Sequence, residues 1–149
     1  MAPLAAADVK SWLGGLHLVA GHQSEARALF EEARKELMAL RDKGEPSWRL
    51  TRALIWTNAG LNDRQAVERE VPELLSRTQH DLWRAPGVKE VVASAYAVLG
   101  DADRAIPFLE QALSASYHQS ITPALLRLDP VWDPIRNDPR FQKLAGGKP

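Results

Sequence analysis

Six small or apolar residues near the start of the chain, Leu13, Gly14, Gly21, Ala26, Phe30 and Ala33, have counterparts at Val92, Ala93, Gly100, Ala105, Leu109 and Ala112. Every counterpart lies 79 positions downstream, so the two copies share one register. A weaker copy lies between them, where Pro46 and Gly60 are separated by 14 positions, as are Pro86 and Gly100. Repetition at a period of about 40 residues, with small residues at fixed places, is the pattern of helix pairs stacked side by side. A residue with little side chain lets two helix backbones approach closely. Such arrays are surfaces for other macromolecules.

The spacing predicts a first helix over 6–20 and a second over 24–42, where Ala26, Phe30, Ala33, Leu37 and Leu40 follow steps of 4, 3, 4 and 3 along one face. The opposite face carries Glu31, Glu32, Lys35 and Glu36 and is read as solvated. Gly44 and Pro46 end this helix. Further helices are predicted over 47–59, 63–78, 87–99 and 102–116, with a kink or break at Pro72, where the ring removes a backbone donor. After His118 come Thr122-Pro123, Asp129-Pro130, Asp133-Pro134 and Asp138-Pro139, each a capping side chain before a proline suited to the first helical turn. They predict three or four short helices, the last closing at Gly146, whose Leu125, Leu126, Leu128, Trp132, Ile135, Phe141 and Leu144 fold back on the sixth helix.

Counting each copy from Ala7, Pro46 and Pro86 aligns the repeats. The eighth position is Gly14, Ala53 and Ala93, a close-contact site, and the eleventh is His17, Trp56 and Tyr96, a ring that fills the space between neighbours. The fifteenth is Gly21, Gly60 and Gly100, where a positive φ ends one helix before the next. The twentieth is Ala26 and Ala105, while Ala66 falls one place later, so the middle turn is expected to be one residue longer.

This grammar resembles the tetratricopeptide repeat family over about residues 7–116, although the period exceeds that family's usual length of about 34 and no aromatic stands at the fourth position. HEAT-type repeats, with a matching period but without the Gly–Ala pattern, are the second reading. The resemblance implies an all-α, right-handed superhelix in one domain, with three hairpins over about 7–44, 46–79 and 86–117 and a capping tail over 121–146. It implies a concave face lined by Asp8, Ser11, Gly15 and Leu18, then Ser47, Leu50, Leu54 and Thr57, then Gly87, Glu90, Ser94 and Ala97. Asn58 alone there would suit clamping a peptide carboxylate, which argues against that mode of binding. The run Leu126 to Phe141 resembles the C-terminal ending of tetratricopeptide regions in large bacterial signalling proteins, such as serine/threonine kinases and winged-helix regulators. The implied role is a non-catalytic docking module, in the cytoplasm, for a protein or peptide.

Composition narrows the chemistry. The 149 residues hold 19 basic and 19 acidic side chains, which removes the charge excess that nucleic-acid binding needs. There is no cysteine, no apolar run of the roughly 20 residues needed to span a bilayer, and no leader pattern in the first ten residues. No cofactor or metal is expected, because His17, His22, His80 and His118 lack helical ligand spacing. Ser114, Ser116 and His118 lack the glycines of a nucleophile elbow, and Gly14-Gly15 lies inside a helix instead of after a strand. Trp12, Trp56 and Trp132 are expected in the core, with Trp48 or Trp83 as an exposed anchor. The alternative function is self-association, as a homodimer, through an exposed end or the Trp48/Trp83 region, and an enzyme is a distant third. Since the register places Ala105 at a close contact, Ala105→Glu should cost several kcal/mol in a thermal or urea melt, on the order of an overpacked core residue carrying a buried charge.

Overall fold

A computed structural model describes residues 2–44, 47–115 and 121–146. Within them the chain is helical and without strands. Pro46, Ser116 and His118 fall outside the described residues. The helices are α1 (Pro3–Val19), α2 (Gln23–Asp42), α3 (Trp48–Gly60), α4 (Arg64–Thr78), α5 (Ala85–Val98), α6 (Ala102–Leu113), α7 (Pro123–Leu128) and α8 (Pro139–Leu144), with a 3-10 helix at Pro130–Ile135. The chain divides into two compact units, residues 1–77 and 78–149.

In the first unit α1 packs along α2, and both pack on α3. Ala26, Phe30, Ala33, Leu37 and Leu40 of α2 are buried, as their spacing predicts. Leu37 and Leu40 join Ala7 of α1 and Leu50, Ala53 and Leu54 of α3 in one cluster, which Leu4 edges. The Phe30 ring is fully buried, and two glycines make room for it. A Cβ added at Gly14 would lie 3.0 Å from the ring, and one added at Gly60 would fall inside its van der Waals surface. Ion pairs at the rim join α2 to its neighbours: Lys10 to Glu32 and Glu36, Arg34 to Asp63 and Arg41 to Glu70. Glu70 is buried, so its pair with Arg41 at 2.7 Å supplies the partner that a desolvated carboxylate needs.

The turns between paired helices are alike in hydrogen bonding. The Gly21 N–H donates to the Leu18 carbonyl at 3.1 Å and the His22 N–H to the His17 carbonyl at 2.9 Å. Asn62 and Asp63 donate to Ala59 and Asn58 at 2.9 and 2.8 Å, and Gly100 and Asp101 to Ala97 and Tyr96 at 2.9 Å each. All three are Schellman motifs, in which a left-handed residue turns its own and the next N–H back onto the last helical carbonyls. The left-handed residues are Gly21 (φ 82°), Asn62 (φ 59°) and Gly100 (φ 70°). The expectation for Gly60 is therefore corrected: α3 runs through it, and what demands glycine there is the Phe30 ring.

Aligned on these turns, the middle copy follows the first by 41 positions and precedes the last by 38. Ala26, Phe30, Ala33 and Leu37 then correspond to Val67, Val71, Leu74 and Thr78 of α4, all buried, and the first three of them to the buried Ala105, Leu109 and Ala112 of α6. The true counterpart of Ala26 is thus Val67 and not Ala66. Pro72 does not break α4, and Pro107 does not break α6. Both prolines are exposed, so water can serve the carbonyl left without its N–H partner.

In the second unit α5 pairs with α6, the 3-10 helix packs on α5 and α8 packs on α6. The tail thus folds back on both helices of the pair. Thr122, Asp129 and Asp138 are caps as expected, accepting from the N–H groups of Leu125, Val131 and Arg140. Asp133 is not: it lies inside the 3-10 helix and pairs with Arg136. Arg136 also donates to the carbonyls of Leu126 (3.0 Å), Arg127 (2.9 Å) and Asp129 (2.8 Å), satisfying acceptors that the end of α7 leaves open. Leu126, Trp132, Ile135 and Phe141 are buried, with the Trp132 and Phe141 ring centroids 6.0 Å apart, whereas Leu125 and Leu128, expected to fold inward with them, lie on the outer side of their short helix and are exposed.

The two kinds of glycine predict different costs. Gly60→Ala should lose about 2–3 kcal/mol in urea unfolding, because the ring of Phe30 has no free space to enter. Gly21→Ala should lose only about 1 kcal/mol, since a Cβ there meets nothing and only the positive φ opposes it.

Candidate functional site

The residues of the expected concave face occupy several environments. Ser11 and Thr57 are buried and share a hydrogen bond between their hydroxyls at 2.7 Å, linking α1 to α3. Leu50 and Leu54 belong to the core cluster of the first unit. Asn58 is 3% exposed, so it cannot act as an open carboxylate clamp. Ser47 is the N-cap of α3, accepting from the Leu50 N–H at 3.1 Å. These six residues serve packing and capping. Asp8 and Leu18 on α1 remain half-buried, and so do Glu90 and Ser94 on α5, where the Ser94 hydroxyl donates to the Glu90 carbonyl oxygen at 2.9 Å.

The displaced assignments share one cause. Counting from Pro46 sets α3 two residues out of phase, and two residues rotate a helix by about 200°. With the turns as reference, Asp8, Ser11, Gly15 and Leu18 correspond to Arg49, Arg52, Trp56 and Ala59. The corrected α3 face is polar and aromatic where the expected one is aliphatic. Arg49 is exposed, and its guanidinium lies 5.6 Å from the Trp48 ring centre. Arg52 donates through Nη2 to Asp8 at 2.6 Å, and Trp56 packs against Gly15, where an added Cβ would come within 2.8 Å of the indole.

Two donors on this face lack acceptors. Arg52 Nε and Trp56 Nε1 are both buried and without a hydrogen-bond partner, one helical turn apart on α3. An unmet buried donor costs about 1–3 kcal/mol, and both atoms are closed off from solvent, Trp56 Nε1 by the backbone of α1 at Gly15. The sequence carries a usable signal for this face in Asn62-Asp63, because asparagine, after glycine, is the residue that tolerates a left-handed turn.

Other clusters are internally satisfied. A depression of about 480 Å³ between α2 and the start of α4 is bordered by Arg27, Arg34 and Arg64. These pair with Glu31, Asp63 and Glu68, at 2.9, 3.3 and 4.0 Å. His17 and His22 stand with their Nδ1 atoms 3.3 Å apart, brought together by the turn. Among the described residues no group of three or more His, Asp or Glu is placed to hold a metal, and no helix is long and apolar enough to cross a membrane. The tryptophans differ from expectation at Trp12, which is 65% exposed on the outer side of α1, and at Trp56, which is half-buried; Trp132 is buried and Trp83 is exposed.

Ionisation follows local partners. Hydrogen bonds from the Lys10 ammonium to Glu36 and then Glu32 hold its pKa above the usual lysine range. The Asp138 carboxyl is held down to about 2 from 3.8, first by the Arg140 guanidinium and then by the Arg140 backbone N–H. Arg140 also pairs with Asp103 of α6 at 2.7 Å, so this carboxylate helps anchor α8. No protein-family model matches the chain, and no curated protein or solved structure does either.

Because folding lowers the pKa of Asp138, its contribution is complete above about pH 4 and lost as the pH falls toward 2. Asp138→Asn keeps a capping side chain and removes the charge. Urea melts should show the variant less stable than the parent chain at pH 5 and nearly equal to it near pH 2.

Proposed function

We propose that this chain is a non-catalytic interaction module of the tetratricopeptide type, acting in the cytoplasm, that docks a segment of another protein along the α1–α3 edge. The observation that carries the reading is the pair of unmet donors, Arg52 Nε and Trp56 Nε1, beside the Asp8–Arg52 ion pair. A bound chain offers backbone carbonyls and carboxylates, the acceptors these donors lack, and reaches them by opening the Asp8–Arg52 pair that covers the edge. Arg49, exposed on the same face, adds a positive charge and favours an acidic segment. The three matching turns and the buried stripes of α2, α4 and α6 support the repeat architecture on which the reading rests. The superhelical path and the signalling context of the tail belong to the same proposal.

A peptide library displayed on phage and selected against the full chain should enrich acidic sequences. Trp56→Phe keeps the ring and removes only the N–H, and it should weaken the enriched peptide several-fold in calorimetry. Arg52→Ala should weaken it at least tenfold, the scale of a charged contact in a desolvated site. Arg27→Ala, on another surface, should leave affinity unchanged. Peptides that bind the Trp56 and Arg52 variants as tightly as the parent chain would remove the α1–α3 assignment.

A further inference from the structure

The turn between α1 and α2 brings two rings together. In each of the three matching turns the residue after the left-handed one donates its N–H to a carbonyl five positions back: His22 to His17 at 2.9 Å, Asp63 to Asn58 at 2.8 Å and Asp101 to Tyr96 at 2.9 Å. That bond draws the side chains of the pair toward each other. In the second and third turns the later residue is an aspartate that caps the next helix, accepting from the N–H of Ala66 and of Arg104, each at 3.1 Å. His22 holds the same place ahead of α2, yet its side chain makes no capping bond. Its ring faces that of His17 instead.

The two Nδ1 atoms stand 3.3 Å apart, with the ring centroids 5.5 Å apart and the planes tilted by 49°. Two nitrogens bound tetrahedrally to one zinc ion, at about 2.0–2.1 Å each, lie about 3.3–3.4 Å from one another. The contact thus has the separation of a chelate, in which an ion takes the place of the proton the rings share. His22 is exposed and His17 half-buried, so both rings are free to swing their lone pairs onto one ion. A spacing of five is not that of helical metal motifs, whose ligands sit one turn apart; here the turn supplies what the periodicity does not.

The surroundings suit a cation. The Glu25 carboxyl is held below the usual range, first by its own backbone N–H, then by Ser24 and by the fields of His22 and His17, so a negative charge stands near both rings. The helix ends that meet at the turn carry opposite partial charges, negative from α1 and positive from α2, so neither alone bars an ion. We propose that His17 and His22 form a binding site for a divalent transition-metal ion, held through the two Nδ1 atoms, with zinc(II) as the ion the separation fits. Among the described residues the pair belongs to no group of three ligands, so the remaining positions of the tetrahedron fall to water or to a carboxylate from outside the chain. Imidazole nitrogen suits zinc, copper and nickel, whereas calcium takes oxygen ligands. The site uses none of the residues assigned to the α1–α3 edge.

Zinc chloride titrated into the full chain from about 1 µM to 1 mM, in a buffer that does not chelate, should reveal one saturable site per chain in calorimetry. Calcium chloride should show none. Zinc should also raise the midpoint of urea unfolding, because only the folded chain pairs the two rings. His22→Asn is the decisive variant. It offers α2 a cap, so without zinc it is at least as stable as the parent chain, and it should bind zinc at least tenfold more weakly. His17→Ala should lose as much. His80→Ala, in the second unit, and Arg52→Ala should bind zinc as the parent chain does, so this site and the α1–α3 edge stand or fall separately. No saturable binding across that range overturns the site. So does zinc binding, or a zinc-dependent gain in stability, that survives in His22→Asn, and so does a loss of binding in His80→Ala.

Discussion

The first unit is organised around one aromatic ring. Phe30 is fully buried, and the backbone of α1 at Gly14 and of α3 at Gly60 both approach it with no side chain of their own. That double approach sets how near three helices can lie. The aliphatic cluster of Ala7, Leu37, Leu40, Leu50, Ala53 and Leu54 can close only once the helices are that near. The hydroxyl pair Ser11–Thr57 and the ion pair Asp8–Arg52 then fix the sliding of α1 along α3, which a purely apolar contact leaves free.

Much of this organisation is legible in the amino-acid order, and for a physical reason. Helix periodicity and capping are local, so α2, with its 26-30-33-37-40 stripe, and the caps at Thr122, Asp129 and Asp138 can be read directly. The match between the outer copies is equally plain, because both use glycine for the turn at positions 21 and 100. The middle copy misleads because it holds a glycine and an asparagine two positions apart, and the glycine is there for Phe30 instead of the turn. A slip of two residues is enough to exchange the Arg52–Trp56 side of α3 for its buried Leu50–Leu54 side. Pairings between distant residues, such as Arg41 with Glu70 or Arg140 with Asp103, leave no local trace at all.

Helix α1 illustrates how one helix can be divided among several tasks. Its inner side fills the core through Ala7, and a second portion, its two opposite flanks, sends Asp8 to Arg52 of α3 and Lys10 to Glu32 and Glu36 of α2. The third is left to Val9, Trp12, Leu13 and Leu16. Because the charges are spent on intramolecular partners, the polar flanks and the apolar outer side stay chemically separate over a helix of 17 residues.

The unequal spacing of the turns, 41 and then 38 positions, has a consequence for how this sequence tolerates change. The first interval is three positions longer than the second, so the outer copies keep their separation of 79 while the central one is displaced between them. Each hairpin need only be in step with itself, because a Schellman turn resets the phase wherever its left-handed residue falls. A change of length in a connecting segment therefore leaves the pairing inside each hairpin in step.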